Sequence, residues 1–147
     1  MSSTVQRKGE LRDSYSKAIQ EGYVEPDEDD AVIGVVRKRT PWFADVDDNW
    51  PSLAPSDDLL EDFHNMRDEL EQRDDLDDTE AHNKAAVAVD FRERYHRRLQ
   101  CPDAKMRMED IESMIENGRD VWLICYESEP KFCHREILLG VIRSRMN

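Results

Sequence analysis

AVIGVV, residues 31–36, is an unbroken apolar run rich in β-branched side chains. A strand with one wet face alternates apolar and polar residues, whereas a strand covered on both faces reads as a continuous run. RDVWLICY, residues 119–126, has the same character. Arg37, Lys38 and Arg39 follow the first run, and Pro41 then stops pairing. Helical stretches lie between and after these two strands, and that alternation implies a parallel sheet in a layered domain. The expected fold is therefore α/β: a small three-layer domain, its sheet parallel or mixed, with helices on both faces. Residues 1–10 are expected to be a flexible N-terminus and residues 11–147 a single domain.

Working outward, residues 11–21 (LRDSYSKAIQE) suit a short helix ended by Gly22. A third strand within residues 4–15 is the weaker alternative. Residues 41–55 hold two Trp, a Phe and three Pro, and read as loop. Ser56 is a candidate N-cap, with Asp57 and Asp58 suited to the positive end of the helix dipole. Leu59, Phe63, Met66 and Leu70 then share one helical face. Residues 73–80 break that helix. A second is expected over residues 81–99, and a third over residues 104–117, closed by Gly118. The last helix is expected to start near Phe132.

With 147 residues the chain is long enough to bury a core. It has no apolar run of about 18 residues, so no spanning helix is expected. Residues 1–10 carry no apolar leader, and the expected location is cytoplasmic. The net charge is −13, from 19 Asp and 15 Glu against 15 Arg and only 6 Lys. Such a balance disfavours bulk attraction to nucleic acid or an anionic membrane. High Asp with little Lys suits a halophilic surface, since at about 1 M salt the Debye length falls to about 3 Å and acidic crowding costs little. An ordinary acidic protein is the plainer account. Three cysteines, Cys101, Cys125 and Cys133, without a leader argue for free thiols rather than a disulfide framework.

CYESEPKFCHR, residues 125–135, carries the most chemistry. If the last helix starts near Phe132, Cys133 sits in its first turn, where unpaired N–H groups and the dipole favour a thiolate. His134 and Arg135 adjoin it, and Arg135 has the geometry to fork onto a phosphate or carboxylate. The plain alternative is a packed Cys133 with surface neighbours. Cys125, within an apolar strand, reads as a core thiol. No C-x₂-C pair exists, which argues against structural zinc, and the spacing does not fit a phosphatase anion loop. No metal or cofactor is expected.

Arg37 and Arg39 share side-chain parity at a strand end and suit an anion, or else pair with nearby carboxylates. Trp42, Phe43 and Trp50 suit stacking on a flat ligand, or else roof the core. His64, His82 and His96 fall among charged neighbours and read as solvated. Tyr95 reads as core. In a parallel sheet, ligands bind beyond the carboxyl ends of the strands, so Arg37 and Arg135 are expected to converge on one pocket. Cys133 is expected to be the most reactive of the three thiols.

These stretches resemble domain-of-unknown-function family 488, whose members carry a CYE…CHR signature near the C-terminus. Ser14-Tyr15, VVRKRTPW (residues 35–42), LAPS (residues 53–56) and FRERY (residues 91–95) resemble further short motifs of that family. The family has no assigned reaction, and its recurring cysteines suggest enzymes. The resemblance implies site roles for Tyr15, Arg37, Cys125, Tyr126, Glu127, Cys133, His134 and Arg135. Lys38, Arg39 and Thr40 intervene before Pro41, a departure that reshapes the expected anion grip.

The expected function is a cysteine-dependent enzyme acting on a small anionic, phosphate- or nucleotide-like substrate. Cys133 is the nucleophile, and His134 or Glu127 the proton carrier. Arg37, Arg39, Arg135, Tyr126, Tyr15 and Trp42 bind substrate. The alternative is a non-catalytic module for a nucleotide or nucleic-acid end. A third reading, an acidic nucleic-acid mimic, rests on charge alone. A small anionic ligand is the expected partner, with no membrane; a nucleic-acid partner and the oligomeric state are left open.

Overall fold

The computed structural model describes residues 8–74, 76–126 and 133–146. Among these residues, four strands form one sheet in the order β1-β4-β2-β3: β1 Leu11–Tyr15, β2 Ala31–Gly34, β3 Asp48–Asn49 and β4 Val121–Cys125. Every strand pair is parallel. Central β4 pairs Tyr15 of β1 with Cys125 and Gly34 of β2 with Ile124, so three carboxyl ends share one edge. The helices are α1 Ser16–Gln20, α2 Asp57–Asp74, α3 Asp78–Ala88, α4 Phe91–Arg98, α5 Pro102–Glu116 and α6 His134–Met146. The fold is α/β.

The expected helix over residues 11–21 is corrected in favour of the alternative, a third strand within residues 4–15. Leu11–Tyr15 pairs with β4, and only Ser16–Gln20 is helical. An edge strand of a parallel sheet needs little apolar character, so Arg12, Asp13 and Ser14 made the strand the weaker expectation. β2 ends sooner than the apolar run. Its ladder extends to the Val35 N–H, which donates to the Ile124 carbonyl at 2.9 Å. Val36 is then held by Asn49, whose side chain accepts from its N–H and donates to its carbonyl.

Ser56 caps α2, its Oγ accepting the Leu59 N–H at 3.2 Å. Asp77 caps α3 by accepting from the Glu80 N–H, so that helix starts earlier than expected. The helix expected over residues 81–99 is two helices. Asp90 takes a left-handed conformation, φ 54°, which Asp tolerates better than most residues, and the chain turns there.

Side chains of Leu123, Cys125, Ile33 and Asp13 share one face of the sheet by register. α6 covers it: Arg135 reaches Asp13 and Cys125, and Arg143 reaches the Leu11 carbonyl. On the other face, the Phe43 ring approaches Gly34, where an added Cβ would lie 3.3 Å from it. This side of Gly34 is thus roofed by the loop carrying Phe43. Among the described residues, no helix is long and apolar enough to cross a membrane.

Candidate functional site

A cavity of about 310 Å³ opens beyond the carboxyl ends of β2 and β4. Val36, Arg37 and Lys38 reach it from the end of β2, Tyr126 from the end of β4, and Cys133 and His134 from the start of α6. α2 contributes Leu60, Phe63 and His64, α3 His82 and α4 Phe91, with Pro55 completing the wall. Its lining is thus aromatic and apolar, with fixed cations confined to the segment after β2. The ring stack is ordered: Phe63 meets Phe91 edge-on at 5.8 Å and His82 edge-on at 4.8 Å.

Tyr126 pins the basic segment in place. Its hydroxyl accepts from the Thr40 N–H at 2.8 Å and donates to the Lys38 carbonyl at 2.8 Å. Its ring packs edge-on against Phe43 at 4.9 Å. Arg37 lines the cavity while its guanidinium grips Asp57, with Nε 2.7 Å from one oxygen and Nη2 3.2 Å from the other. The Arg37 hydrogen bond holds the Asp57 carboxyl below its ordinary range.

His134 is fixed from below. Nε2 lies 2.5 Å from the Val35 carbonyl oxygen, and Tyr95 packs edge-on against the ring at 5.4 Å. A carbonyl only accepts, so Nε2 carries the proton and Nδ1 keeps its lone pair. Nδ1 lies 3.8 Å from Cys133 Sγ. Burial pushes the imidazole pKa down to about 4, against the Val35 hydrogen bond, with the Arg135 charge adding to the fall. His134 is therefore neutral at pH 7, with the Nδ1 lone pair on the side of Cys133 Sγ.

Cys133 is 4% exposed and directly precedes α6, its carbonyl accepting the Glu136 N–H. Its sulfur is joined to that of Cys125, eight positions away. The expectation of three free thiols is thus corrected. Cys125 ends β4 and Cys133 directly precedes α6, and the packing of α6 on the sheet sets the two cysteines face to face. Cys101 is exposed and free, so access favours labelling there over the buried Cys133.

Arg135 is not where the sequence suggested. It is 3% exposed and absent from the cavity wall; Nε donates to Asp13 at 2.7 Å and Nη1 to Cys125 Sγ at 2.7 Å. The structure does not bring Arg37 and Arg135 together, because consecutive residues on α6 point in different directions: His134 to the cavity, Arg135 to the sheet. Arg39 and Trp42 are exposed and Tyr15 half-buried, all three outside the wall. Glu127 lies outside the described residues.

A family model described as the active DUF488-N3 subclade matches residues 17–146. The chain belongs to the DUF488 family. No curated protein and no solved structure matches it. The match spans every wall residue of the DUF488 cavity.

Sequence reasoning missed Asp13 and His82. His82 is 3% exposed and packs against Phe63, not solvated as expected. The signal was present in α3, where Ala81, Ala85 and Ala86 are buried beside it on the same helical face. Asp13 carried no signal until Leu11–Tyr15 was known to be a strand. Among the described residues, no group of three or more His, Cys, Asp or Glu is placed to hold a metal ion.

Proposed function

We propose that this DUF488 protein is a cysteine-dependent enzyme acting on a small anionic substrate of phosphate- or nucleotide-like chemistry. The observation that carries the reading is the presence of Cys133 and His134 in one cavity wall with Arg37 and Lys38. Edge-on aromatics around an apolar slot suit a flat ring, and the cations suit an anionic group attached to it. Once reduced, Cys133 is the nucleophile, and His134 Nδ1 takes its proton. Glu127 is the alternative proton carrier. Arg37 grips the anion with Lys38 in place of Arg135, and Arg39, Tyr15 and Trp42 contact parts of the substrate outside the cavity. The word active in the description of the matched subclade agrees with catalysis. A cytoplasmic setting and a surface adapted to high salt belong to the same reading.

The alternative is a non-catalytic module holding a nucleotide or nucleic-acid end. The Cys125–Cys133 pairing favours it, since a bonded sulfur is not a nucleophile. Calorimetry and mass-detected turnover with nucleoside 5′-monophosphates separate the two, using the reduced chain and its Cys133→Ser variant. The enzyme reading expects binding by both proteins and turnover by the parent alone. Turnover by Cys133→Ser removes the nucleophile, binding without turnover by the parent leaves the module, and absence of binding overturns both.

A further inference from the structure

We infer that Cys125 and Cys133 form a reversible dithiol–disulfide centre, with Arg135 holding Cys125 as thiolate, that exchanges with small-molecule disulfides entering through the cavity. No nucleotide enters this inference, so it stands apart from the substrate reading above.

Two sulfurs in contact can be a structural bridge or a redox couple, and their surroundings distinguish the two. A structural bridge needs only apolar packing. Here a guanidinium that never loses its charge is buried against one sulfur: Arg135 Nη1 donates to Cys125 Sγ at 2.7 Å. Asp13 holds the same group through Nε at 2.7 Å and fixes its direction. A cation beside a cysteine stabilises thiolate over thiol, and a stabilised dithiol form makes a disulfide easier to reduce.

Access divides the labour. Cys133 lines the cavity, whereas Cys125 is 1% exposed and outside the wall. In the reduced protein His134 Nδ1 takes the Cys133 proton, and Cys133 Sγ attacks one sulfur of the incoming R–S–S–R. The R–S–S–R bond breaks as the Cys133–SR bond forms. The first RS⁻ leaves and takes the proton from His134. Cys125 thiolate then attacks Cys133 Sγ, forming the internal disulfide and breaking the Cys133–SR bond. The second RS⁻ leaves and is protonated by water. Two protein sulfurs are oxidised by two electrons, and one external disulfide becomes two thiols.

The full chain carrying Cys101→Ser, titrated against glutathione buffers, tests this. Maleimide mass-tagging counts free thiols, and peptide mass identifies the linked pair. The expected result is one two-electron transition between zero and two tags, with a Cys125–Cys133 peptide at the oxidised end. Arg135→Gln should shift the glutathione ratio at the midpoint about tenfold toward the oxidised protein, by removing the thiolate partner. Two tags at every ratio, or none even in excess thiol without denaturant, overturns the centre. If Arg135→Gln does not fold, thiolate absorbance near 240 nm in Cys101→Ser/Cys133→Ser decides: Cys125 should absorb as thiolate at pH 7. A thiol spectrum there removes the role of Arg135.

Discussion

His134 Nε2 and the Val35 carbonyl oxygen, 2.5 Å apart, tie the first turn of α6 to the end of β2. The contact fixes the imidazole tautomer and so decides which nitrogen faces Cys133. It also couples stability to pH. The folded pKa is about 4 against an ordinary 6.5, so on acidification the unfolded chain takes up this proton first. Stability from the neutral ring is full above about pH 6.5 and is lost as pH falls toward 4. The slope is at most about 1.4 kcal/mol per pH unit, and hydration from the cavity reduces it. Urea unfolding at pH 7 and pH 5 should show about 1–2 kcal/mol more loss in the parent than in His134→Asn. Equal losses in the two proteins would mean that the ring is not buried neutral.

Gly34 has a second consequence for the same corner. A Cβ there would lie 2.6 Å from Asn49 Oδ1, the atom that accepts the Val36 N–H. Gly34→Ala should displace Asn49, leave the Val36 N–H poorly paired and cost about 2 kcal/mol. Gly140 in α6 is the control, because an added Cβ meets nothing within 4 Å. Gly140→Ala should gain about 0.5–1 kcal/mol from helix propensity. Paired urea midpoints check both, and a neutral Gly34→Ala would show that Asn49 has room to move.

Much of this architecture is legible in the chain. Residues 31–36 and 119–126 announce buried strands because both their faces are covered, and Ser56 and Gly118 mark helix ends by their chemistry. Cys133, His134, Arg37 and Tyr126 could be placed near one another because parallel strands present their carboxyl ends along one edge. What was hidden depends on tertiary partners. Leu11–Tyr15 is a strand because β4 offers it an edge, although its sequence serves a helix equally well. Arg135 turns to the sheet because Asp13 waits there, a contact across 122 positions that no local pattern encodes. The meeting of Cys125 and Cys133 likewise depends on where α6 docks.

Tyr95 supports the cavity from behind. It is fully buried, and burial raises its hydroxyl pKa, so it stays a donor. The hydroxyl donates to the Leu53 carbonyl at 2.5 Å, while Arg98 holds the carbonyls of Ala54 and Pro51. Together they anchor the segment that leads to Pro55 in the cavity wall. Tyr95→Phe keeps the ring and leaves the Leu53 carbonyl without this donor, at a cost of about 1–3 kcal/mol. The urea midpoint should fall with the slope unchanged. An unchanged midpoint would mean that water or another donor replaces the hydroxyl.

Salt should act on the whole molecule. The net charge of −13 makes the compact state repel itself in dilute buffer, more than the unfolded chain, which spreads the same charges apart. Opposing this, exposed pairs such as Arg37–Asp57, Arg73–Glu69 and Arg97–Glu93 weaken as salt is added. Exposed pairs contribute only about 0–1 kcal/mol each. Acidic residues exceed basic ones by 34 to 21, so the unpaired excess dominates. Raising KCl from dilute to about 1 M shortens the Debye length from about 30 Å to about 3 Å and removes most of that repulsion. Thermal midpoints at constant pH should therefore rise across the range, most steeply below about 0.2 M, where screening changes fastest. Replacing the surface acids Asp27, Glu28 and Asp29 by their amides should flatten the curve by raising its low-salt end. A midpoint independent of KCl, or one that falls, would show that local pairing outweighs the net charge and would remove the halophilic reading of the surface.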